Sequence, residues 1–130
     1  LLEEGADINI ITKNDVSPLW VASHKGYVDI VETLLQKNAQ LYITSDSTDD
    51  IWQAIHISAY EGNLKVIMKL KEYGCDLNAT TSQNNCTPLH LTVQEGILKV
   101  AEWLVMNGAN PHACDQDGNT PIQIATMKRY

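Results

Sequence analysis

The stretch "TPLHLTVQEG", residues 87–96, reads as a helix start, and the chain writes nearly the same start again at "SPLWVA" (17–22), "QAIHIS" (53–58) and "TPIQIA" (120–125). Anchored on Ser17, Gln53, Thr87 and Thr120, the spacings are 36, 34 and 33 residues. Gly26, Gly62 and Gly96 each follow their helix start by nine residues. A further marker, "LLQKNAQLY" (34–42), "LKEYGCDLN" (70–78) and "LVMNGANPH" (104–112), is matched by "LLEEGADIN" at 1–9. A fixed order of markers at one period is the signature of a repeat architecture.

Each unit makes physical sense. The Thr87 hydroxyl can cap a helix, and Pro88 fits a first turn where its missing N–H costs nothing. Leu89, Leu91, Thr92 and Val93 continue a short helix, which Gly96 ends through its tolerance of left-handed backbone. A second helix follows at "ILKVAEWLVMN" (97–107), with Leu98, Val100, Ala101, Leu104 and Val105 as an apolar stripe. The stretch "GANPHACDQDG" (108–118) then supplies turn chemistry. Neither helix is long enough to be stable alone, so burial must come from stacking.

The segments "TPLHLT" (87–92), "DGNTPIQIA" (117–125), "GYVDIVETLL" (26–35) and "GADIN" (5–9) resemble the ankyrin-repeat family over essentially the whole chain. The resemblance implies an all-α ankyrin-repeat solenoid: helix-turn-helix plus a β-hairpin loop per repeat, about three full repeats with partial repeats at both ends. The expected organisation is a single domain over 1–130, with a partial repeat at 1–11, repeats at 12–44, 45–80 and 81–114, and a partial repeat at 115–130. Such a stretch is expected to be a segment of a longer array, with "TPIQIATMKRY" as a natural half-cap in the competing account.

Departures from the pattern concentrate in unit two. Its loop, within "TSDSTDDIW" (44–52), carries three extra residues, and the loop before Thr87 carries one. Ala54 stands where Pro is usual, and Arg129 stands where other units have Gly. Lys71 occupies a position where the second helix is expected to bury a Leu, with its stem snorkelling over apolar surface. Unit two is therefore expected to be the least regular and least stable, and Lys71→Leu to stabilise it.

Charge and cysteine usage narrow the function classes. The formal net charge is −7, which argues against a nucleic-acid partner because phosphate binding wants clustered Lys and Arg. Residues 1–50 hold three Lys (13, 25, 37) against nine acids (3, 4, 7, 15, 29, 32, 46, 49, 50). A solvated face explains this bias, and so does a docking surface for a basic partner. No apolar run approaches a membrane span. Cys75, Cys86 and Cys114 are odd in number and widely spaced, which suits a reduced, cytoplasmic or otherwise intracellular setting better than a disulfide framework.

Catalytic motifs are absent: there is no G-x-S-x-G, H-E-x-x-H or Gly-rich phosphate loop. Cys86, His90, His112 and Cys114 lack the spacing of a closed zinc site, and no cofactor is expected. By the resemblance, His56 and His90 tie a first turn to a loop, and Trp20 and Gln123 replace them in units one and four. The resemblance also implies that a loop Asn eight residues after a Leu can be hydroxylated. Leu1–Asn9 and Leu70–Asn78 fit, although a loop Asn bonding its own turn is the plainer reading.

What remains is recognition of a protein partner. In a solenoid, loop tips and first helices line one concave wall, and the resemblance places partner binding there. The candidates at the tips are Lys13, Asn14 and Val16; Asp49, Asp50 and Trp52; Gln83, Asn84 and Cys86; and Gln116, Asp117 and Asn119. Those near the helix ends are His24, Lys25, Tyr60, Glu61, Gln94 and Glu95. Trp52 either packs over its long loop or anchors a partner, since hot spots are enriched in Trp and Tyr. Trp103 falls on the second helix and is expected on the back. The competing function is a regulatory segment of a larger enzyme or channel, packing against its own chain.

Overall fold

The computed structural model describes residues 7–45 and 47–128. Leu1, the start of the first marker, and Arg129 lie outside that range. The described residues form seven helices: α1 (Pro18–Lys25), α2 (Val28–Gln36), α3 (Ala54–Glu61), α4 (Leu64–Glu72), α5 (Pro88–Gln94), α6 (Leu98–Met106) and α7 (Pro121–Lys128). The helices α1, α3, α5 and α7 stack in one inner row, each against the next, while α2, α4 and α6 each back their inner partner. This is an all-α repeat solenoid.

Capping follows the residues. Ser17 Oγ accepts from Trp20 N at 3.1 Å, and Thr87 Oγ1 accepts from His90 N at 3.3 Å. Gln53 has no hydroxyl to offer and works differently. Its side-chain amide closes on the backbone of Ile43, accepting from the Ile43 N–H and donating to the Ile43 carbonyl at 3.2 Å. That double bond pair pins the base of the longest loop. Gly26 and Gly62 end α1 and α3 at φ 76° and 75°. Close packing adds to the demand for Gly at 62, where a Cβ would stand 3.1 Å from the Ile97 side chain.

The core runs continuously through the stack. It includes Leu19, Ala22, Val31, Leu34, Ile55, Ala59, Val66, Ile67, Leu70, Leu89, Val100 and Leu104. Small side chains let the inner helices approach: Ala22 and Ser23 on α1, Ser58 and Ala59 on α3, and Thr92 on α5 are all buried. Ser58 and Thr92 return their hydroxyls to the carbonyls of Ala54 and Pro88 at 2.8 Å, so burial leaves them satisfied.

Two expectations about the outer helices need correction. Lys71 is exposed, and the buried face of α4 is Val66, Ile67 and Leu70. The equivalent positions are Leu35, which is buried, and Val105, which is 45% exposed. The position lies on the margin of the apolar stripe, so Lys71→Leu has no cavity to fill. Similarly, Leu98 and Val105 of the α6 stripe are exposed, because they line an open groove facing α7 rather than a closed helix contact.

Unit two is irregular in its loop but not in its helices. The tips of the loops at 9–16, 77–86 and 110–119 share one backbone bond: Thr12 N–H to Val16 O, Thr81 N–H to Cys86 O and Asp115 N–H to Asn119 O, each 2.9 Å. The extra residue of the third loop is absorbed inside its turn. Left-handed residues mark these tips: Asp15 (φ 60°), Asn85 (φ 53°) and Gly118 (φ 80°). The loop at 43–52 has no such residue among those described. It folds instead through Ser turns, with Ser47 N–H on Ser45 Oγ and Asp49 N–H on Ser47 Oγ, both 3.1 Å. These loops are turn-closed fingers; the described residues contain no strand. Meanwhile α3 is buried from Ala54 to Ala59 without a break, so the irregularity of unit two stops at its loop.

Candidate functional site

The finger row is knitted unit to unit. Ser45 Oγ donates to Asp15 Oδ1 at 2.7 Å, joining the first two fingers. Asp50 joins the second to the third: Oδ1 accepts the Gln83 and Asn84 N–H groups at 2.7 and 3.1 Å, and Oδ2 accepts from Asn84 Nδ2 at 3.0 Å. Ile51 N–H donates to Ser82 Oγ at 2.7 Å, and Gln116 N–H reaches Asn84 O at 2.9 Å. Burial works to raise the Asp50 pKa, but the hydrogen bonds from Gln83, Asn84 and Trp52 outweigh it, and the carboxyl sits below its ordinary value.

A second tie repeats at the base of each finger. Asn9 Oδ1 accepts from Gln40 N at 2.8 Å, Tyr42 Oη from Asp76 N at 2.8 Å, and Asn78 Oδ1 from Asn110 N at 2.7 Å. These residues stand at one register in successive units, and Tyr42 fills the Asn position with a longer reach. Asn78 also donates Nδ2 to Gly108 O at 3.1 Å. Both ends of its amide bridge to the next unit, which accounts for the residue without any modification.

The histidines behave as connectors. His56 Nδ1 accepts from Gln53 N at 2.9 Å, while Nε2 donates to Ala79 O at 2.7 Å. His90 makes the same pair with Thr87 N (3.1 Å) and Asn119 O (2.9 Å). Trp20 replaces the ring chemistry with its indole N–H, which donates to Trp52 O at 2.9 Å. Gln123 Oε1 accepts from Thr120 N at 2.8 Å. With both nitrogens of His90 engaged, Cys86, His90, His112 and Cys114 do not offer a ligand set.

Aromatic rings stand between the fingers and the inner helices. Trp20 lies 5.4 Å from the His24 ring, and Trp52 meets Tyr60 edge-to-face at 5.3 Å. Trp52 is half-buried, and its indole N–H donates to Asp50 Oδ2 at 3.1 Å. It therefore packs over its own loop while keeping an open side. His24 Nε2 and Glu61 Oε1 approach to 3.7 Å across α1 and α3; both are well exposed, so the pair adds little stability.

The structure brings some sequence candidates together and sets others apart. Asn14, Val16, His24, Asp49, Asp50, Trp52, Tyr60 and Glu61 gather around the first two fingers. Lys13, Lys25, Gln83, Asn84, Glu95, Gln116 and Asp117 are exposed along the row, with Gln94 and Asn119 half-buried. Cys86 is half-buried, and burial first, then the nearby carboxylates, push its thiol pKa up, so it is no reactive thiolate. Trp103 packs against the core from the outer row. The residues missed as a group were Asp15, Trp20 and Ser82. Trp20 was visible as the odd member of the T-P-L-H register, but its partner in the next unit was not.

A family model described as ankyrin repeats, in three copies, matches residues 41–115, and a single ankyrin-repeat model matches 14–46. The chain belongs to the ankyrin-repeat family. Ankyrin repeats are non-catalytic protein-interaction modules. Relatives include the nuclear factor NF-kappa-B p105 subunit of Gallus gallus, 29% identical across 100% of this chain and 13% of its own length. The ankyrin repeat protein nuc-2 of Neurospora crassa is 31% identical over 89% of this chain and 11% of its own. The ARF GTPase-activating protein GIT1 of Homo sapiens is 36% identical over 58% of this chain and 10% of its own. The chain thus spans only 10% to 13% of the lengths of these ankyrin relatives. No described helix is long and apolar enough to cross a membrane.

Proposed function

We propose that this ankyrin array holds a protein partner on the concave wall formed by its fingers and inner helices, centred on Trp52 and Tyr60. The observation that carries this is the ring pair itself. Trp52, on a finger bonded to its neighbours, and Tyr60, on α3, are half-buried aromatics held edge-to-face beside Asp49, Asp50 and Glu61. A wall organised before binding loses little conformational freedom when a partner arrives. The acidic flank suits a partner with an apolar anchor bordered by Lys or Arg. Residues Lys13, Asn14, Val16, His24, Lys25, Gln83, Asn84, Cys86, Gln94 and Glu95 form the rim. The odd, unpaired cysteines fit an intracellular setting, and the much longer relatives fit an array that continues as part of a larger protein.

The competing reading, a regulatory segment packing against its own chain, draws on another surface. An apolar groove of about 480 Å³ runs between α5, α6 and α7, with Leu98 and Ile122 70% and 72% exposed. The two readings separate by mutation. With immobilised protein capturing partners from lysate, Tyr60→Ala and Trp52→Ala are each expected to weaken the captured complex by ~2 kcal/mol, while Trp103→Ala leaves affinity unchanged. Melting curves recorded beside each binding curve separate lost contacts from lost fold. Capture that tolerates both wall variants but fails with Leu98→Asp points to the groove instead.

A further inference from the structure

We propose that the cleft between the first and second fingers is a pocket for one arginine side chain of the protein partner, an assignment that rests on the finger wall being the interaction surface. The cleft measures about 280 Å³ and is walled by Trp20, Trp52, Val16, Asp15, Asp49 and Asp50. Pockets for small molecules begin near ~300 Å³, so this one suits a single side chain rather than a cofactor.

Its chemistry selects a cation. The Trp20 indole N–H is spent on Trp52 O and that of Trp52 on Asp50 Oδ2. With both N–H groups used, the two indoles in the lining offer an incoming group their π-systems and no free donor. A cation over an indole face is attracted by the ring quadrupole. His24 and Tyr60, at 5.4 and 5.3 Å between ring centroids, steady the two rings. Three carboxylates add their field to the same opening. Asp50 uses both oxygens on neighbouring donors and supplies charge only. Asp49 is exposed, and its carboxylate accepts no hydrogen bond from the described residues, which leaves it to pair with the guest. A guanidinium satisfies both demands at once, stacking flat on an indole while forking two N–H groups onto a carboxylate, which an ammonium cannot do.

The test uses the chain's three tryptophans as reporters in a nitrogen-15 NMR titration of the intact protein. The probes are acetyl-Gly-Arg-Gly-amide, its lysine counterpart and its uncharged citrulline counterpart. The arginine peptide is expected to shift the Trp20 and Trp52 indole signals saturably while Trp103 stays still. The citrulline peptide moves none of them, and the lysine peptide binds more weakly. Asp49→Asn should weaken the arginine titration about threefold with no change in melting temperature. Equal responses to arginine and citrulline, a matching shift of Trp103, or tighter binding of lysine overturns the assignment. Arginine titration combined with partner capture indifferent to Tyr60→Ala sinks the wall reading and, with it, the cleft's role in holding the partner. Capture lost in Tyr60→Ala without any arginine titration sinks the pocket alone.

Discussion

Leu70→Ala is expected to destabilise the protein by about 3 kcal/mol, while Lys71→Ala, one residue away, changes stability by no more than about 0.5 kcal/mol. Leu70 is fully buried in α4, which packs against α3 and α2. Truncating it removes a side chain's worth of transfer free energy and leaves a cavity at a junction of three helices. The rows above and below repeat the contact through Leu34 and Leu104, so the stack cannot collapse into the space without moving both neighbours. Lys71 projects into solvent on the adjoining face. Urea unfolding followed by circular dichroism measures both changes. A Lys71→Ala loss comparable with that of Leu70→Ala would move the buried stripe of α4 by one residue.

His56→Ala is expected to cost a similar amount, about 3 kcal/mol, through a lost ring and two stranded polar groups. The Gln53 N–H and the Ala79 carbonyl would both lose their buried partner. The same ring sets a pH dependence. Desolvation dominates and lowers the His56 pKa to about 4, against the opposing pull of Ala79 O and the Asp50 charge. Protonating Nδ1 would also set a new N–H against that of Gln53. The unfolded chain therefore binds the proton more readily, and stability falls as the solution is acidified. The contribution is complete above the ordinary histidine pKa of 6.5 and is lost on the way down to about 4. That window corresponds to roughly 3 kcal/mol. In His56→Ala the loss across it should vanish. The Asp50 contribution, from a carboxyl below its ordinary value of 3.8, disappears only at still lower pH. A wild-type urea midpoint that stays level from pH 6.5 to pH 4 would mean that His56 is not held neutral.

The repeat was legible because stacking imposes the same local solution on every unit. A capping hydroxyl, Pro in the first turn and Gly at the helix end each satisfy a backbone requirement visible within a few residues. The ties between units were not legible. Asp50 looked like a free surface acid, yet its carboxylate holds the next finger, because its donors at Gln83 and Asn84 lie a full repeat away. Trp20 looked like a lost histidine until its indole N–H was seen to reach Trp52 O. Lys71 misled for the opposite reason. Repeat averaging assigned it the burial of Leu35, although a marginal position takes its burial from whatever packs beside that particular unit.

The claim that the finger wall holds the partner is tested most directly by hydroxyl-radical footprinting of the free and partner-bound protein. Trp20, Trp52 and Tyr60 should lose reactivity on binding, while Tyr27, Tyr73, Trp103 and Met106 keep theirs. Protection of Trp103 and Met106, with Trp52 and Tyr60 as reactive as in the free protein, would place the partner on the outer row and contradict the account.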